Sequence, residues 1–284
     1  MSGYYPYLLC GLPDLSFDSE PENFSYEDIY RQIFELLTPS DRKLAGLFLA
    51  FPTHTERIKA FLALEDDDAR AEYLIRNELP SYQKNFFSHS LSFLLTGEED
   101  VRVEVSEETE MRLKRLLDES FYKAVISCGN RFVREWFEFD LVLKNTLVAF
   151  AARKQQRSPQ DEFLYPVKKK LQDGEEPELI TWIKENMQSG DFGLKLRLSY
   201  AEEMFAALDL PDVFDRERAV DRFRWNMAEE MVRGKDFQID KVLCYLLKAG
   251  ILRRWRKMQA EEGRRYLQDV VSDMRKVNLQ GDAL

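Results

Sequence analysis

SFYKAVISCGNRFVREWFEFDLVLKNTLVAF, residues 120–150, contains one glycine and no proline. Within it and just beyond, Val133, Trp136, Phe137, Leu143, Leu147 and Ala151 return at helical spacing, which places them on one stripe of a helix from 131 to about 156. Upstream, Leu113, Leu116, Leu117, Phe121, Ala124 and Val125 define a second stripe on a helix that begins near 107. Gly129 falls between the two and marks a break or a tight contact. Two long amphipathic helices in succession point to a helical core.

Working outward, Pro159, Pro166, Gly174 and Pro177 make 157–178 a connector with short helix. Helices follow at about 178–188, 196–208, 215–233, 236–259 and 262–277, and 278–284 reads as a frayed tail. On the N-terminal side, Ser25 caps a helix over about 26–37 that stops at Thr38-Pro39. A second starts at Ser40-Asp41, with Leu44, Leu47, Phe48 and Phe51 on one face. Further helices are predicted at about 54–64, 66–78 and 80–95. Two stretches read as extended: 98–105 (EEDVRVEV), which alternates, and 4–17 (YYPYLLCGLPDLSF), a strand or apolar arm whose length Pro6 and Pro13 limit. The expected fold is all-α, a multi-helix assembly with at most a few short strands. It divides into an N-terminal region (1–105), a central long-helix module (106–158) and a C-terminal region (159–284). The texture of 111–157 partly recurs in 216–260, where a Trp-bearing helix again precedes a Lys/Arg-rich end, hinting at duplicated modules.

Composition agrees with helix. Gly (12) and Pro (10) are sparse for 284 residues, and 32% of the chain is charged, which suits helices with solvated outer faces. The net charge of −10 disfavours non-specific nucleic-acid binding, which depends on neutralising phosphates. The charge is polarised: residues 1–110 hold 22 acids against 9 bases, leaving 29 acids and 32 bases for the remainder. No apolar run is long enough to span a bilayer, and the N-terminus lacks the basic region and cleavage site of a signal peptide. Cys10, Cys128 and Cys244 are far apart and sit among apolar residues, as expected of buried thiols in a reducing, cytoplasmic compartment.

No catalytic motif is present: there is no GxxxxGK[ST], GxSxG or GxGxxG. With His54 and His89 the sole histidines and no CxxC, a zinc site is not expected. Neither histidine follows a Glu by three residues, as di-iron bundles require. Ser88-His89-Ser90 is not a triad on this pattern. Glu65-Asp66-Asp67-Asp68 resembles an Asp-rich magnesium motif, but Arg70 stands where the second carboxylate would fall. The run suits a helix N-terminus better, where carboxylates favour the dipole. The chain is therefore expected to be non-catalytic, without cofactor or metal.

The polar residues of interest lie inside the apolar helix. Asp140 shares the stripe of Val133, Trp136 and Phe137, with Glu138 and Asn145 nearby. A buried carboxylate requires compensation. Arg131 and Arg134 are near enough in sequence to be partners, and Arg134 stands four residues before Glu138. Glu138, Asp140, Asn145 and Arg134 thus form a candidate buried polar latch that fixes helix register, favoured over a proton or ion site.

The segment 120–150 resembles the core helices of the central-rotor subunit of V-type and A-type rotary ATPases, called d in eukaryotes and C in prokaryotes. The matching residues are Phe137, Glu138, Asp140, Asn145, Ala149 and Phe150; in that family the Phe-Glu-x-Asp segment opens a helix. The opening YYPYLLCGLPDLSFD (4–18) is similar to a bacterial domain-of-unknown-function family whose genes sit among V-type ATPase genes. The resemblance implies a funnel of related three-helix modules on the cytoplasmic face of a membrane ring. Such a subunit receives the central shaft and couples it to the ring, with no catalysis and no cofactor of its own. Its partners would be the shaft subunits and the ring, and it would be peripheral to the membrane. Within this frame, Arg253, Arg254, Arg256 and Lys257, crowded around Trp255, are candidate docking residues for an acidic part of the shaft or for anionic headgroups. The plainer reading is that they complement the helix dipole and pair with Glu261 and Glu262. Two other classes remain: a helical scaffold or regulatory protein unrelated to rotary ATPases, and a helical enzyme with an unrecognised site.

Overall fold

The computed structural model describes residues 3–19, 25–64, 67–76, 79–87, 107–158, 162–165 and 178–259. Among them the chain is all-α. The helices are α1 (Pro6–Gly11), α2 (Tyr26–Leu36), α3 (Pro39–Ala50), α4 (His54–Leu62), α5 (Asp67–Arg76), α6 (81–87), α7 (Glu107–Ile126), α8 (Arg131–Lys154), α9 (Glu178–Glu185), α10 (Ala201–Leu208), α11 (Val213–Met231) and α12 (239–259). Extended pairing among the described residues amounts to an isolated antiparallel bridge between Tyr4 and Gln238.

α8 is the helix around which the others are arranged. Asn130 caps it by accepting from the Val133 N–H at 2.8 Å. It ends in a Schellman turn: Gln156 takes a positive φ, and the Arg157 and Gln156 N–H groups return to the carbonyls of Ala152 and Arg153. The buried surface exceeds the single expected stripe, since Phe132, Phe139, Thr146, Ala149 and Ala152 are buried too. Helices on several sides explain this: α8 packs against α7, α9 and α11, while α4 covers α7 and α10 covers α11. One hydrophobic core runs through all of them, from Leu8 and Ile33 through Phe121, Phe137 and Leu143 to Phe192, Phe205 and Leu243.

Several boundaries differ from the sequence reading. Residues 6–11 are a short helix, not a strand: Pro6 sits in its first turn, where a missing N–H is harmless, and Leu12 is extended. α3 starts at Pro39, because Thr38 and not Ser40 caps it by accepting from the Asp41 N–H. α10 begins only at Ala201, after turns and a 3-10 segment. Cys10 is exposed and Cys128 half-buried; only Cys244 is buried, with its thiol pushed up to about 11 by desolvation. Cys10 lies open because α1 buries Leu8 alone. The predicted strand at 98–105, helix at 262–277, tail at 278–284, Ser88-His89-Ser90 and Glu261 and Glu262 lie outside the described residues, as do Glu65 and Asp66; α5 opens at Asp67.

The N-terminal segment reaches across to α12 and the turn before it. The Tyr5 N–H donates to the Phe237 carbonyl at 2.7 Å, and Tyr245 donates its hydroxyl to the Pro13 carbonyl at 3.0 Å. The Tyr5 hydroxyl donates to buried Asp41 at 2.5 Å and accepts from the Thr38 N–H at 3.2 Å. One tyrosine thereby ties the arm to the cap of α3 and to the turn before α12.

Candidate functional site

Asp140 is buried at 7% exposure in a network drawn from four helices. Tyr122 of α7 donates to Oδ2 at 2.6 Å; Lys144, one turn on, approaches it at 3.4 Å; and Arg224 of α11 donates Nε to Oδ1 at 3.3 Å. Arg224 also donates Nη1 to Asp221 Oδ1 at 3.1 Å. The other oxygen of Asp221 accepts from Arg254 and, at 2.9 Å, from the Trp255 indole, both on α12. Acids and bases therefore alternate from Lys144 and Asp140 through Arg224 and Asp221 to Arg254 at the surface. Burial alone would raise the Asp140 carboxyl, but the charges of Lys144 and Arg224 and the Tyr122 hydroxyl outweigh it and hold it below the ordinary range. Desolvation pushes Lys144 down, whereas the two carboxylates overcome it at Arg224 and raise that guanidinium.

The remaining residues of the candidate latch do different things. Asn145 is not part of the Asp140 cluster: it accepts from the Leu164 N–H at 2.9 Å and donates to the Leu164 carbonyl at 3.1 Å, clamping the 162–165 segment onto α8. Arg134 donates to the Cys128 carbonyl at 3.0 Å, and Arg131 pairs with Glu135 at 2.6 Å, so neither of these nearby cations serves Asp140. Both sit at the start of α8, about two turns from Asp140; Arg134 reaches back to the turn before the helix and Arg131 one turn on to Glu135. Glu138 is half-buried. Of the two cations that serve Asp140, Lys144 stands four residues on, a helical spacing that could have found it, whereas Arg224 is 84 residues away and no local spacing reveals it.

A second buried cluster joins α4, α6 and α7. His54 Nδ1 lies 2.7 Å from Asp118 Oδ1 and Nε2 lies 2.7 Å from the Tyr82 hydroxyl. Lys114 donates to the other Asp118 oxygen at 2.6 Å, and Gln83 donates to the Tyr82 hydroxyl at 2.9 Å. Burial keeps the imidazole neutral and ionised Asp118 can only accept, so Nδ1–H donates to Asp118 and Nε2 accepts from the Tyr82 hydroxyl. Desolvation lowers the His54 pKa, opposed in part by Asp118. Both ring nitrogens are occupied and the residue is 1% exposed, so the cluster is arranged to hold helices together.

The candidate docking residues separate in the same way. Arg254 is committed to Asp221 and Glu217, and Arg253 meets Glu27 at 3.1 Å on the surface. Arg256 and Lys257 are exposed. Four cations presenting one docking face is thus too simple: Arg254 supports the core. Among the described residues no group of three or more His, Cys, Asp or Glu is placed to hold a metal, and no helix is long and apolar enough to cross a membrane.

The fold and these networks define an all-α protein whose polar interior is spent on joining helices. The chain matches the family described as Protein of unknown function (DUF2764) over residues 1–277 and belongs to it. No curated protein and no solved structure matches it.

Proposed function

We propose that the protein is a non-catalytic subunit of a V/A-type rotary ATPase, peripheral to the membrane on the cytoplasmic side, which couples the central shaft to the membrane ring. The observation that carries this reading is the 120–150 segment. Its resemblance to the rotor subunit's core helices covers Phe137, Glu138, Asp140, Asn145, Ala149 and Phe150, and all six lie on α8, five of them buried. One feature departs from that family's pattern: α8 starts at Arg131, ahead of Phe137, so the Phe-Glu-x-Asp segment lies inside the helix and does not open it. The network that ties α7 to α8 by the Tyr122 hydrogen bond, and α8 to α11 and α11 to α12 by ion pairs, suits a part that transmits force, because these links resist shear between helices.

Tagging the chain at its native level and purifying from mildly solubilised membranes tests the reading. Rotary ATPase subunits should be recovered in fixed stoichiometry, and deleting the gene should uncouple ATP hydrolysis from ion transport. Recovery of the intact ATPase without this chain would refute the assignment, and a stable complex with unrelated proteins would favour the scaffold reading.

A further inference from the structure

A groove of about 280 Å³ opens between α11, α12 and the arm at residues 17–19, walled by Phe17, Phe214, Leu252 and Trp255 with Arg218 and Arg256 on its rim. We propose that it docks a protein segment that inserts one apolar or aromatic side chain flanked by carboxylates. The volume falls below the roughly 300–1,000 Å³ of small-molecule sites and suits a single anchoring side chain. Its walls are held in place. The Trp255 indole is fixed by its bond to Asp221, Phe214 stands edge-on to it at 5.1 Å, and Phe17 packs between Trp225 at 5.6 Å and the Arg222 guanidinium at 4.4 Å. Fixed aromatic walls lose little entropy on binding.

The apolar lip is open. Phe214 is 42% and Val213 64% exposed, the pair heading α11. Charge selects the partner. Arg218 and Arg222 share a single carboxylate, Asp18, so that wall carries surplus positive charge. On a chain of net charge −10, this local excess favours an acidic segment over the rest of the surface. Concavity favours a protein side chain over a bilayer, which would meet the lip and leave the groove unfilled. The proposal does not depend on the rotary-ATPase reading.

Anisotropy of a labelled peptide with a central Phe between Glu residues, titrated with the full chain, tests it, with a Gln-flanked peptide as control. Wild type should bind the Glu peptide at least tenfold more tightly than the Gln peptide, and added salt should weaken the binding. Phe214→Ser and Arg218→Gln should each lose at least tenfold while keeping the wild-type urea midpoint; Phe214→Ala serves if either fails to fold. Equal binding of the two peptides, no binding to wild type, or undiminished binding to the variants overturns the proposal. So does groove-dependent binding to phosphatidylglycerol vesicles, which assigns the face to a membrane. Self-association in sedimentation velocity that Phe214→Ser abolishes overturns it too, assigning the groove to a second copy.

Discussion

Asp140 and Asp118 are both buried carboxylates, each touching the neighbouring long helix or its cover, yet they are compensated in opposite ways. Asp140 meets two cations and a tyrosine, and its guanidinium partner is shared with a second buried acid. Asp118 meets a neutral imidazole and a lysine that is 44% exposed. The first cluster is a closed ionic chain whose loss leaves charge stranded in the core. The second is a hydrogen-bonded chain with one ion pair, buried Asp118 with Lys114, whose lysine stands at the edge where water can replace it. The two should therefore differ in how much removing one member destabilises the fold, and in the pH at which they fail.

The largest effect should come from Arg224. Arg224→Met leaves Asp140 with Lys144 as its one cation beside the Tyr122 hydroxyl and removes one of the cations on Asp221. Breaking such a buried pair costs about 3–5 kcal/mol. Urea denaturation should show a loss of that order, and Asp140→Asn in the same background should cost less than it does alone, because one of the two cations that compensate the charge is already gone. A loss below about 1 kcal/mol would erase the distinction between the clusters.

Arg254 comes next, and it shows what the sequence conceals. The apolar stripe from Val133 to Leu147 was enough to place Asp140 inside a helix and to demand a partner. The Ser25 cap and the position of α8 were equally legible, because caps and periodicity are local. One partner, Lys144 at four residues' spacing, was open to the same local reading; Arg224 was not, since it arrives by tertiary packing of α11 on α8. His54, Asp118 and Tyr82 are likewise 28 and 64 residues apart and carry no motif. Residues 251–258 read as four similar cations, although the fold uses one of them internally. A buried Asp221 two turns before the well-placed Ala228 was the available signal, a second acid on an apolar helix face. Arg254→Gln should lose about 1.5–3 kcal/mol, the usual worth of a hydrogen bond to a charged group. An unchanged urea midpoint would mean that Trp255 and Arg224 satisfy Asp221 unaided.

The pH response separates the clusters more gently. His54 has a folded pKa below its ordinary 6.5, so the unfolded chain binds more protons in the interval between the two values. Stability is fully present above about 6.5 and falls as pH drops through that interval, where Lys114 and Lys144 also oppose imidazolium formation. Asp140 and Asp118, both lowered from 3.8, contribute above that value and are lost only in stronger acid. The urea midpoint should therefore decline between pH 7.5 and 5.5 in wild type and flatten in His54→Gln. An equal slope in the variant would place the titrating group elsewhere, while acid loss below pH 4 should persist in both.

The smallest effect is expected one residue from Arg254. Arg253 pairs with Glu27 at 3.1 Å, but the two side chains are 54% and 67% exposed. In water-rich surroundings the Coulomb gain is nearly cancelled by the entropy of holding two long side chains together, and salt screens what remains. Arg253→Gln should shift stability by no more than about 0.5 kcal/mol, and 0.5 M salt should erase even that. Adjacent arginines on one helix would then differ severalfold, for a reason invisible in the ILRRWRKM string: at 100° per residue, Arg254 turns towards Asp221 and α11 while Arg253 turns towards α2. If Arg253→Gln instead matches Arg254→Gln, the exposed face of α12 contributes to the fold as much as its buried one, and burial has ceased to rank these charges.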